Sequence, residues 1–345
     1  TMAEKINRRI EWYRSPIDRQ TLYALNQRSN FLGFLQTLGH LSVLTLTGSF
    51  AWYAFYNLEL SYLLLALFLH GTGYAFLLNG FHEFCHLSVF RTRFLNRFFL
   101  NVFSFLGGYN PVAFWASHSD HHKYTLHTPD DLEVVLPIEI NLGSFFKVFL
   151  VNPMGLWRRW KGVLRFSFGK LAGTTELALF PESDPDLRRR LFNWARVLLI
   201  GHSLILVFSV FFELWMIPVL ITFAPFYGGW LLFLCNNAQH VGLTDNVPDF
   251  RLNSRTIILN PLFRFLYWHM NYHIEHHMFA AVPCYRLGKT HKLIKADLPY
   301  STVGLRETWT EIARIRKRQK TDPEYQFISE LPSPISPKEG GTNAD

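Results

Sequence analysis

Apolar residues gather into four stretches, each close to the roughly 20 residues that a helix needs to cross a hydrocarbon core. They run from about Thr37 to Tyr56, Leu60 to Gly80, Trp194 to Phe212 and Met216 to Cys235. Only Asn57-Leu58-Glu59 separates the first two, and only Glu213 to Trp215 the last two. The pattern therefore predicts two helical hairpins. Lys and Arg are missing from 37–81, and 191–235 holds only Arg196; the other 33 of the 34 lie in 1–36, 82–190 and 236–345. Buried helices of a soluble domain would not segregate charge so completely. By the positive-inside rule the three charged segments are cytosolic, with both termini, and the two short links face outward. Residues 1–36 are too long and polar for a cleavable signal peptide.

Two other apolar segments fit the membrane without crossing it. Residues Phe98 to Ala116 are broken by Gly107, Gly108, Asn110 and Pro111, so this piece dips in or lies on the surface. Residues Phe145 to Phe168 mix Phe, Leu and Trp with Lys147, Arg158, Arg159, Lys161 and Arg165, the pattern of an interfacial helix. The organisation expected is a cytosolic segment over 1–36, a membrane domain over 37–315, and a flexible tail over 316–345. The fold class is an all-α integral membrane protein with four transmembrane helices and a cytosolic helical cap.

Composition agrees. Of 345 residues 49% are hydrophobic and only 17% charged, against about 25% in a soluble domain. A disulfide scaffold is excluded by having only three Cys, which fall at or beyond the cytosolic ends of spans and should stay reduced. The net charge of +8 follows from topology and from attraction to anionic headgroups. No motif for nucleic-acid binding accompanies it.

The 15 His carry the chemistry. Three boxes stand out: His82-Glu83-Phe84-Cys85-His86, His118-Ser119-Asp120-His121-His122 with His127 beyond it, and His273-Ile274-Glu275-His276-His277. A satellite, Asn236-Asn237-Ala238-Gln239-His240, follows the fourth apolar stretch. Residues three and four apart share one helix face. His82 and His86 therefore project together, as do His118, His121 and His122, then His273, His276 and His277, and Asn236 with His240. Every cluster begins on the same side of the membrane. Nine His and one Asn are too many for one metal and suit two. Imidazole suits several transition metals, so ligand type alone does not select one. Glu83, Asp120 and Glu275 can orient imidazoles from behind or bind metal themselves, and His127 is a reserve ligand.

HEFCH also matches the HExxH zinc-protease signature, which would leave seven clustered His unused. A catalytically inactive protein that keeps the boxes is a further alternative. Together HEFCH, HSDHH, NNAQH and NYHIEHH resemble the membrane fatty acid desaturase-like superfamily of di-iron oxidases, over roughly 37–300. That resemblance implies two irons (Fe2+/Fe3+) held by His82, His86, His118, His121, His122, His240, His273, His276 and His277, with Asn236 reaching one of them through water. It implies O2 as co-substrate, and desaturation or hydroxylation of a lipid or lipid-like chain. The three-residue gap in HEFCH is similar to acyl-lipid desaturases, hydroxylases and ketolases rather than acyl-CoA Δ9 desaturases. The sequence carries no CxxC pair, haem motif or dinucleotide fingerprint, so electrons are expected from a ferredoxin, a rubredoxin, or cytochrome b5 with its reductase.

Several residues stay open at this level. Thr128 to Glu133 offers acids that orient His121 or His127, or else a turn and cap; Thr244 to Asp249 is a pocket-side loop or a turn. His40, His70 and His202 lie within spans, where interhelical hydrogen bonding is the usual role. His269 sits one turn before the third box, and His291 reads as a surface residue.

Overall fold

The computed structural model describes residues 9–134, 136, 140 and 142–332. It is mostly helical; among the described residues the only strand pairing beyond isolated bridges is a parallel pair, Ile257–Ile258 with Thr302–Val303.

The first hairpin forms much as the apolar pattern predicts. Ser29 caps a helix over Asn30–Asn57 by accepting from the Leu32 amide. A second helix, Leu60–Ala75, pauses at Phe76 and continues as Leu77–Cys85, carrying the first histidine box on its last turn. The third long helix, Pro185–Phe211, starts with Asp184 as cap and Pro185 at its first position. Three helices, Asn30–Asn57, Leu60–Cys85 and Pro185–Phe211, are long and apolar enough to cross a membrane, and less than half of each apolar window is buried. Leu46, Leu64, Ile200, Leu204 and Val207 are among the side chains left exposed, as lipid-facing residues would be.

The fourth apolar stretch is not one helix. It divides into Met216–Leu220, a 3-10 turn at Ala224–Phe226, and Trp230–Asn237. Pro225 has no amide to donate and cannot continue a helix. Gly228 then turns left-handed at φ +66° with the Phe68 carbonyl pressed against it, where a side chain would not fit. The expected continuous span over 216–235 is corrected to this broken path, which packs on the second helix.

The segment over 98–116 becomes two helices, Arg93–Gly107 and Pro111–Tyr124. Gly108 ends the first at φ +64°, and Asn110 caps the second through the Val112 and Ala113 amides. The interfacial stretch over 145–168 likewise divides, into Leu142–Phe149 and Pro153–Ser167. Cys85, Cys235 and Cys284 are all buried and unpaired. The last helix, Gly304–Gln319, runs past the expected start of the tail at 316. Residues beyond it lie along the loop after His240, with the Phe327 amide donating to the Gly242 carbonyl at 2.8 Å. Residues 333–345, which complete the expected tail, lie outside the described residues.

Candidate metal centre

Four short elements bring the histidines together: the end of Leu77–Cys85, the second half of Pro111–Tyr124, the turn after Trp230–Asn237, and the helix His273–Met278. Helical spacing supplies each pair or triplet, and the tertiary fold sorts them into two groups. His82, His86, His118, His122 and His276 form one; His121, His240, His273 and His277 form the other. Within each group one nitrogen per ring lies within 4.8 Å of all the rest. The second box is divided between them, since His121 points away from His118 and His122. The third box is divided as well.

The nitrogens that face inward are crowded. His118 Nε2 lies 3.2 Å from His86 Nε2 and 3.0 Å from His122 Nε2, which is 3.2 Å from His276 Nε2. In the other group His273 Nε2 is 2.9 Å from His240 Nε2 and 3.1 Å from His277 Nε2. Two nitrogens each about 2.1 Å from a shared ion, at a right angle, would be about 3.0 Å apart.

The outward nitrogens show that the inward ones carry lone pairs. His118 Nδ1 donates to Glu133 at 2.9 Å and His121 Nδ1 to Asp131 at 2.8 Å. His82 Nδ1 donates to Glu83 at 3.1 Å, and His240 Nδ1 to the Asn253 carbonyl at 2.8 Å. The Thr125 hydroxyl donates to the His121 carbonyl and accepts from His277 Nδ1 at 3.3 Å. A neutral imidazole has one N–H, so these five rings present only a lone pair at Nε2. Converging lone pairs repel unless a cation lies between them. The donor set thus fits two nitrogen-ligated transition metals, each with its imidazole orientation fixed from behind.

Electrostatics keep the ligands ready. Burial, reinforced by the other imidazoles, holds His118, His122, His273, His276 and His277 well below the usual histidine pKa, and His240 at about 3. Neutral rings bind metal without first losing a proton. His121 differs: burial pushes its pKa down, but the Asp131 hydrogen bond and charge, with Glu133, raise it above the ordinary value.

A cavity of about 310 Å³ opens beside both groups, lined by His82, His118, His121, His240 and His273. Leu78, Phe114, Val134 and Met270 give it apolar walls, and Asn79, Asn236, Asn237, Gln239 and Glu133 polar ones. Asn236 lines this cavity together with His240, four residues on.

The other sequence candidates fall elsewhere. His127 is buried but joins neither group; its Nδ1 lies 3.1 Å from the Thr125 carbonyl, and its ring meets Trp12 edge-on. Asp120 pairs with Lys123 at 3.4 Å. Glu275, fully buried, accepts from the Thr256 hydroxyl and from His291 Nδ1, each at 2.5 Å. His291 is therefore a buried partner of the third box, 7% exposed, and not the surface residue expected from sequence. His269 belongs to neither group. His40, His70 and His202 make the interhelical bonds expected of them, to the Gly73, Leu220 and Phe105 carbonyls.

The run after the second box serves both of its possible roles, since Asp131 orients His121 and also caps the turn through the Glu133 and Val134 amides. The later loop backs it, with Asn246 bonded to Leu126 and Thr128. Glu133, Thr125 and Asn253 were not legible as partners of His118, His277 and His240. Only the clustering of acids behind the second box hinted at the first of these.

Residues 58–309 match the fatty acid desaturase family. The chain belongs to that family. No curated protein matches it. As a member of the fatty acid desaturase family it is an oxidoreductase of the desaturase and hydroxylase kind, and its membrane-length helices fit a membrane protein. The HExxH protease reading has no support in the geometry: Glu83 sits behind the imidazoles, on His82 Nδ1 and 3.8 Å from His276 Nδ1, not on their open side.

Proposed function

We propose that this protein is an integral-membrane, non-haem di-iron oxidase that uses O2 and two external electrons to desaturate a lipid or lipid-like aliphatic chain. The observation that carries the reading is the division of nine histidines into groups of five and four beside one cavity. Two irons, when bound, supply O2 activation and hydrogen abstraction from an unactivated carbon. One turnover converts a CH2–CH2 unit, O2, two electrons and two protons into a double bond and two waters.

The chain's own residues hold and orient. His82, His86, His118, His122 and His276 serve one iron; His121, His240, His273 and His277 serve the other, with Asn236 beside them. Glu83, Asp131, Glu133, Thr125 and the Asn253 carbonyl keep each Nδ1 proton away from the irons. Leu78, Phe114, Val134 and Met270 keep water off the reacting segment. The same arrangement serves hydroxylation, the alternative within this reading.

The protein crosses the membrane four times, the fourth along the broken 216–237 path, with both termini and the histidine cap in the cytosol. Electrons come from a separate ferredoxin, rubredoxin, or cytochrome b5 with its reductase, attracted to the basic cytosolic face.

Metal analysis of the purified protein tests the reading first: about two irons per chain are expected, and a single zinc would overturn it. Mass spectrometry of host lipids and small metabolites, with and without expression, then reads the reaction. Loss of two hydrogens marks desaturation and gain of one oxygen marks hydroxylation. His276→Ala and His277→Ala should each abolish the product while leaving membrane insertion intact.

A further inference from the structure

Asn79 lies one helical turn before His82, on the same face, and is 4% exposed. It lines the cavity that touches both histidine groups. Its Nδ2 reaches the Asn236 side-chain oxygen at 3.5 Å, while its own Oδ1 is buried with no hydrogen-bond partner. In this arrangement the Asn79 oxygen is the free end. A buried acceptor left unsatisfied is costly, which is why such groups are nearly always paired. Of the neighbouring amides, Asn237 donates to the Phe233 carbonyl and Gln239 to the Tyr267 hydroxyl, and neither reaches Asn79 Oδ1.

We propose that Asn79 Oδ1 accepts a hydrogen bond from an O–H or N–H donor on the substrate, and so positions it beside the histidine groups. The inference rests on the oxidase reading and narrows its substrate. A purely aliphatic segment would leave this oxygen unpaired at every turnover. The substrate is therefore a lipid-like molecule with a hydroxyl or amide N–H close to the carbon that is oxidised. Leu78, Phe114, Val134 and Met270 take its apolar part, and Asn79 reads the donor.

The test uses full-length protein loaded with cobalt(II), whose visible bands report changes close to the metals without turnover. The probes are 1-hexadecanol and its methyl ether, which keeps the oxygen but replaces the donor hydrogen with a methyl group; the Asn79→Leu comparison separates the lost donor from the added bulk. Wild-type protein should bind the alcohol about tenfold more tightly, the value of one well-formed hydrogen bond. Asn79→Leu should bind the two alike while retaining both metals. Equal binding by the wild type overturns the proposal, even if the variant fails to fold. So does a preference that survives in Asn79→Leu. If the wild type shows no preference but Asn79→Leu alters the bands of the ligand-free protein, the donor is a water, and the substrate assignment fails. Failure to load two metals, or to form any oxidised product, would sink the oxidase reading instead, and the two failures are separable.

Discussion

Asp131 holds His121 Nδ1 at 2.8 Å and, through its other oxygen, caps the turn that carries the chain away from the second box. One carboxylate thus fixes both the His121 ring and the loop behind it. Asp131→Asn keeps an acceptor in place but removes the charge that raises the His121 pKa. Loss of such a partner typically lowers metal affinity by about 10–100-fold. The expected outcome is selective loss of one of the two metals during dialysis against a chelator, followed by elemental analysis. Equal retention of both would show that Asp131 serves only the turn.

His291 supports the third box through Glu275, whose two oxygens reach His291 and Thr256. Removing the ring strands one oxygen of a fully buried carboxyl. His291→Ala should therefore lower unfolding stability by on the order of 1–3 kcal/mol, measured by denaturant titration in detergent. His291→Gln, which keeps a donor, should recover part of the loss. A His291→Ala protein as stable as the wild type would remove this pair from the support of the third box.

The depressed histidine pKa values predict how the metal-free protein responds to acid. His118, His122, His273, His276 and His277 stay neutral when folded well below the ordinary value of about 6.5, and His240 stays neutral to about 3. Unfolded chains take up those protons below pH 6.5, so the stability these groups permit is present above that pH and lost as pH falls towards 3. Thermal melts of the metal-free protein should fall steeply between about pH 6.5 and 4. The metal-loaded protein should fall less over its upper part, because bound metal competes with protons. Parallel curves for the two forms would contradict this.

Close packing of the broken fourth stretch rests on Gly71. A Cβ there would lie 2.3 Å from the Tyr227 carbonyl oxygen, which is backbone and cannot swing aside. Gly71→Ala should cost about 1–3 kcal/mol, whereas Gly162→Ala, with nothing within 4 Å, should be neutral or gain up to about 1 kcal/mol from helix propensity. Melting points of the two variants in the same detergent check the contrast.

The first three long apolar helices and all nine histidines of the two groups were legible in the sequence. These are local properties: an apolar run needs only its own residues to be read, and i, i+3 and i+4 spacing places side chains on one face wherever the helix goes. The roles of His40, His70 and His202 were legible for a similar reason, since a polar ring inside an apolar helix has to find an acceptor. Which histidine joins which group was settled by tertiary packing, because rings from other elements complete each group: His121 meets His240, His273 and His277, while His122 meets His86 and His276. Packing also placed Glu133, Thr125 and Asn253 against imidazoles of the two groups, buried His291 against Glu275, and broke the fourth stretch at Pro225 and Gly228. Each of those outcomes depends on groups distant in the chain, or on a backbone carbonyl that every residue possesses. Side-chain identity therefore carries no signal for them until the chain is folded.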